Sequence, residues 1–164
     1  MQDTDSLIAQ YYLPGVDKLQ LLRWLGLQRD SKAFGFLVDV ALAENEADTT
    51  RIEALNGIEL YKGVGALERT SAGMGLLRIL ENEQDDLLRN YAAMALRNYI
   101  ATPQCLQVLE EIVRNPNEEL DLRYNAFDAI ESNLADAECR LVFSNLLNVP
   151  EFQDHVLRRL REPS

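Results

Sequence analysis

Three times in this chain an arginine is followed by alanine three residues on and by a large aliphatic residue four further on. The copies are Arg51, Ala54 and Ile58; Arg89, Ala92 and Leu96; and Arg123, Ala126 and Ile130. Steps of three and four place each trio on one stripe of an α-helix. Alanine belongs where two helix backbones approach closely, the aliphatic residue fills a core, and the arginine stem covers apolar surface while its head reaches a carboxylate. Asp85 and Glu119 lie four residues before Arg89 and Arg123, the favourable order for an ion pair within a helix, and Asp48 lies three before Arg51. A second mark recurs: Asn45, Asn82, Asn115 and Asn148 each follow an apolar segment, every 33 to 37 residues. Asparagine tolerates the left-handed conformation that stops a helix, so these are expected C-terminal caps. A repeat of this length implies stacked helix pairs, because no single pair buries its apolar stripe alone.

Only eight Gly and five Pro punctuate 164 residues, and alternating β-branched runs are missing, so nearly the whole chain is expected to be helical. The spacing predicts helices over 4–12, 17–28, 31–44, 48–61, 71–82, 85–99, 103–114, 118–132, 135–147 and 151–161. The long connection is Lys62–Thr70. Pro14-Gly15 and Val149-Pro150 mark joints that divide a repeat body, 16–148, from caps over 1–15 and 149–164, all within a single domain, 1–164.

The arginine-alanine helices resemble the first helices of the HEAT-like repeat family, including the subgroup first described in phycobilisome lyases. The stretches Asp85-Asp86-Leu87-Leu88-Arg89-Asn90-Tyr91-Ala92 and Glu118-Glu119-Leu120-Asp121-Leu122-Arg123-Tyr124-Asn125-Ala126 carry the likeness. Segments 76–80, 106–113 and 140–147 are similar to the family's second helices. The likeness runs from about Asp48 to Asn148; in the first unit the order is Arg23-x-x-Gly26, beside Trp24. The resemblance implies an all-α fold, an α-α superhelix (HEAT-like/ARM-type solenoid) of about four to five helix pairs with end-capping helices. It also implies that the second helices line the concave face.

Charge narrows the partner. Sixteen Lys and Arg against 27 Asp and Glu give a net charge of −11, the wrong sign for nucleic acid or an anionic membrane. From Glu110 to Glu138 nine acidic residues meet two basic ones, so this stretch holds most of the excess. It reads either as a solvated face that keeps the protein soluble or as an acidic docking surface that steers a basic partner. No run approaches the roughly 20 apolar residues of a membrane span, and the first residues lack a signal-peptide pattern, so a cytoplasmic location is expected.

Little material for chemistry is present, and neither a cofactor nor a metal is expected. His155 is the only histidine and sits beside Arg158, Arg159 and Arg161, a basic end that suits a cap helix. Iron-binding HEAT-repeat hydroxylases use His-Glu pairs, which this chain lacks. Cys105 and Cys139, each sixteen residues after its repeat's arginine, read as small core residues. Gly63-x-Gly65 and Gly73-x-Gly75 lack the preceding strand and the Lys-Ser/Thr end of a phosphate loop, and read as a connection and a small-residue helix start. Tyr11, Tyr12, Trp24, Tyr61, Tyr91, Tyr99 and Tyr124 serve packing or interface anchoring.

Aligning Leu77, Leu109 and Phe143 puts Arg78, Glu110 and Ser144 at one exposed position of the second helices, with Ile79, Glu111 and Asn145 next; Gln107 and Arg114 flank the same stripe. The sequence thus predicts a non-catalytic protein that binds a partner, with a basic surface, through Arg78, Gln107, Glu110, Glu111, Arg114, Ser144 and Asn145. Three alternatives fit as well: an immunity-type inhibitor of a basic toxin or nuclease, a scaffold with several clients, or a bilin lyase-like chromophore handler.

Overall fold

The computed structural model describes residues 3–61, 65–100 and 102–161, and among these it is all helical. Ten α-helices follow one another: α1 (Thr4–Tyr11), α2 (Lys18–Leu27), α3 (Ser31–Leu42), α4 (Asp48–Leu60), α5 (Ala66–Asn82), α6 (Asp86–Leu96), α7 (Pro103–Arg114), α8 (Leu120–Glu131), α9 (Ala137–Asn145) and α10 (Gln153–Arg161). A 3-10 turn over Leu146–Asn148 links the last two. Starts are set by side-chain caps: Asp3, Asp17, Asp30, Asp85, Thr102 and Asp136 each accept a hydrogen bond from a backbone N–H of the first turn.

The helices sort into two rows. α2, α4, α6 and α8 touch in succession, as do α3, α5, α7 and α9, and each of α3, α5 and α7 also packs on the helix that follows it. One apolar core runs between the rows. α1 lies on α2 and α3, and α10 lies on α9 and the 3-10 turn. Ala54, Ala92 and Ala126 are fully buried, as are Ile58, Leu96 and Ile130, so the repeated trio lies on the packed stripe.

The repeated arginines hold the stack together across units, and the pairs within a helix are longer: Arg51 with Asp48, as anticipated, at 3.7 Å and Arg89 with Asp86 at 3.9 Å. Arg51 Nε donates to the Ala41 carbonyl (3.1 Å), Arg89 Nε to that of Leu80 (3.2 Å) and Arg123 Nε to that of Val113 (3.0 Å). Each guanidinium then reaches forward to a carboxylate in the next connection: Arg51 to Glu83 (2.8 Å), Arg89 to Glu118 (2.7 Å) and Arg123 to Glu151 (2.9 Å). Lys18 supplies the first rung by pairing with Glu46 at 2.7 Å. The anticipated i,i+4 pairs do not form. Asp85 is spent on capping α6, and Glu119 accepts from the Asn90 amide at 2.6 Å. Arg23, the apparent first-unit counterpart, is exposed and pairs sideways with Glu53.

Two further expectations are corrected. α5 begins at Ala66, where the Glu68 carboxylate reaches back to accept from the Gly65 N–H at 2.9 Å; most of the anticipated loop is helix, and 62–64 lie outside the described residues. No described residue except Gly15 (φ 76°) has a positive φ, so the asparagines do not cap in the left-handed form. Asn82 instead ends α5 with its amide on the Arg78 carbonyl, and Asn115 caps α7 at φ −82°. Gly73 marks close packing: a Cβ there would lie 2.5 Å from the Tyr99 carbonyl oxygen. Cys105 and Cys139 are both buried free thiols, and burial pushes Cys139 up to about 11.

Candidate functional site

The ladder supplies a register for the second row. Counting back from the carbonyls that receive the arginines, Val40, Ile79 and Ile112 fall at one buried position, and Ala33, Ala72 and Cys105 at another. Only nine residues separate Leu80 from Arg89, against ten for the other two rungs. α5 is therefore shifted by one relative to the sequence alignment: Arg78 corresponds to Glu111 rather than Glu110, and Ile79 is core. Phe143 matches Leu109, as both are fully buried, which brings Asn145 to the same position.

One exposed position thus repeats along four neighbouring helices as Asp39, Arg78, Glu111 and Asn145. One turn earlier the series is Gly35, Met74, Gln107 and Leu141, again all exposed. Asp39 and Glu81 were missed by sequence reasoning. The signal that would have found them is the ladder register, which depends on contacts between units.

All seven residues singled out from the sequence lie on α5, α7 and α9, three successive helices of this row. Four of them bond in two separate pairs, one of which also holds the Asn145 carbonyl. Arg114 Nε donates to Glu110 Oε1 at 2.8 Å, a second guanidinium nitrogen donates to the Asn145 carbonyl at 3.0 Å, and the Gln107 amide donates to Glu111 at 2.9 Å. The Ser144 hydroxyl donates to the Arg140 carbonyl, one turn earlier on α9. Arg78 stands apart from these pairs. Its side chain lines a polar cleft of about 640 Å³ together with Glu44, Asp48, Arg51 and Glu83, and bonds to none of the described side chains.

Pairing absorbs most of the acidic run. Glu118 answers Arg89, Asp128 answers Arg97 at 3.2 Å, and Asp136 caps α9. Glu131 lies 3.0 Å from His155 Nε2 and 3.2 Å from Arg159, so the histidine fastens α10 to α8, with its ring edge-on to Phe127. The Arg89 and Arg123 guanidinia hold the Glu118 and Glu151 carboxyls below the usual carboxylate range, and Arg51 does the same for Glu83. Carboxylates without a hydrogen-bonded or ionic partner among the described residues include Asp39 on α3, Glu44 just after it and Glu81 on α5, with Asp121, Glu138 and Asp154 further along the chain. Among the described residues no three His, Cys, Asp or Glu side chains gather as a metal-holding group, and no helix is long and apolar enough to cross a membrane.

No known protein family, curated protein or solved structure matches the chain.

Proposed function

We propose that the chain is a HEAT-like repeat protein, a non-catalytic α-α superhelix that holds a protein partner with a basic surface against the row of α3, α5, α7 and α9. The observation that carries this reading is the series Asp39, Arg78, Glu111 and Asn145, one exposed polar side chain per helix at equivalent positions on four neighbouring helices. The rungs between units support it, since a partner then meets a surface that needs no rearrangement. Asp39, Glu44 and Glu81 have carboxylates free to meet cations, and Arg78, Gln107, Glu110, Glu111, Arg114, Ser144 and Asn145 complete the contact. Attraction of this kind quickens encounter and weakens as salt rises.

The test is capture from native extract at low and raised salt, with the natural chain, an Asp39→Lys/Glu81→Lys variant and a Glu110→Lys/Glu111→Lys variant. We expect one basic protein, retained at low salt, released by salt and lost in both charge-reversed variants while their helical content is unchanged. Retention indifferent to salt and to both reversals overturns the reading.

A further inference from the structure

The junction between neighbouring helices of the first row is closed the same way in the later units. At the C-terminal end of α6 the Asn98 amide donates to the Glu59 carbonyl (2.7 Å), Arg97 bridges Glu59 and Asp128, and past α8 the Asn133 amide donates to the Arg97 carbonyl (2.8 Å). Between α2 and α4 this closure is missing. In the register set by Arg51 and Arg89, Leu60 replaces Asn98, and its side chain is 72% exposed; Gly57 replaces the buried Ala95. Gly26 lies against Gly57, so closely that a Cβ on Gly26 would sit 3.3 Å from the Gly57 Cα. The two glycines let the helices touch without a side chain to fill the space above them, and a groove of about 440 Å³ remains.

Its walls are apolar, formed by Leu22, Leu27, Leu60 and the Tyr61 ring. Two polar side chains line it without a partner among the described residues: those of Arg29 and Asn56. The one carboxylate among the described lining residues, Glu53, is held by Arg23 through two bonds of 3.2 Å. Among its described lining residues Arg29 is thus the one charge without a counter-charge, a cation in a protein whose net charge is −11. An apolar concavity of a few hundred Å³ with a small number of unsatisfied polar groups is the usual build of a small-molecule site.

We propose that this groove binds a small amphiphilic carboxylate, its apolar body between Leu27 and Leu60 and its anionic head on Arg29. The site lies on α2 and α4, away from the row assigned to the protein partner, and stands independently of that assignment.

Trp24, the only tryptophan, is 43% exposed one turn before Leu27 and gives a direct readout. Titration of the full chain with decanoate below its micellar concentration, followed by Trp24 fluorescence and calorimetry, is expected to saturate at one equivalent. Decanol is expected to bind about tenfold or more weakly, the loss that follows removal of a charge-assisted bond. Arg29→Gln, a change at an exposed residue, should bring decanoate to the level of decanol and leave decanol unaltered. Leu60→Glu, also at an exposed position, should abolish both. Absence of saturable decanoate binding, equal affinity for decanol, many equivalents per chain, or an Arg29→Gln variant that binds decanoate as before would each overturn the proposal. Saturable binding of an acidic apolar peptide in place of decanoate would do the same.

Discussion

Replacing Arg89 by methionine removes the head of one rung and keeps the packing of its stem. The residue makes two bonds of 2.7 and 2.8 Å to Glu118 and one of 3.2 Å to the Leu80 carbonyl, with only 14% of its side chain exposed and 19% of that of Glu118. Truncating one partner of a buried pair leaves the other charge desolvated and unanswered, a loss of about 3–5 kcal/mol when burial is complete. Partial exposure of both groups brings the expectation to the lower end, about 3 kcal/mol. In a chain of this length that lowers Tm by about 6–12 °C. The control is Arg23→Met: its pair with Glu53 has similar chemistry, but the arginine is 56% exposed, and a pair so open to water contributes little. Urea unfolding followed by helical circular dichroism measures both. Adding Glu118→Leu to Arg89→Met should recover part of the loss, since no lone carboxylate then remains. If Arg89→Met and Arg23→Met destabilise equally, the rungs do not bind the units together and the argument fails.

Two other outcomes test the packing and the charges. Gly73→Ala should destabilise by about 1–3 kcal/mol, because the new methyl meets backbone at Tyr99, whereas Gly35→Ala, with open space around it, should stabilise α3 by about 0.5–1 kcal/mol; equal effects would refute the close approach. The carboxyls of Glu83, Glu118 and Glu151 are all held below their ordinary value of 4.5 by arginine. Their contribution is complete above that value and drains as pH falls through the lowered ones, so Tm should hold steady from pH 7 to 5 and drop below about 4.5; a Tm that rises on acidification contradicts the assignment.

The two-row, all-helical architecture was legible because the stripe of Arg, Ala and aliphatic residues states a helix period and a unit length together. All ten helices fall where the spacing predicts them, apart from the early start of α5, where Gly65 obscured the helix-forming run Ala66-Leu67-Glu68-Arg69. The arginines' partners were not legible. They lie 28 to 32 residues away, at a separation that varies with connection length, while for Arg89 and Arg123 a nearer acid at i−4 offered a local answer already claimed, Asp85 by capping and Glu119 by Asn90. The same variation hid the register of α5 and with it Asp39 and Glu81. Net charge is ambiguous for a related reason: a run of acids counts alike whether it faces solvent or serves arginines of the preceding unit, and most of Glu110–Glu138 has an internal partner.

Each arginine reads backward to the carbonyl that ends one helix and forward to the glutamate that precedes another, so it acts as a joint with a matching plug on one side and a socket on the other. Nothing in the joint refers to its position in the row. A segment cut from one glutamate to the next carries a complete set of both halves, and a duplicate spliced in phase would meet the same carbonyl behind it and the same carboxylate ahead. The chain is built in modules whose number can change without redesigning the seam.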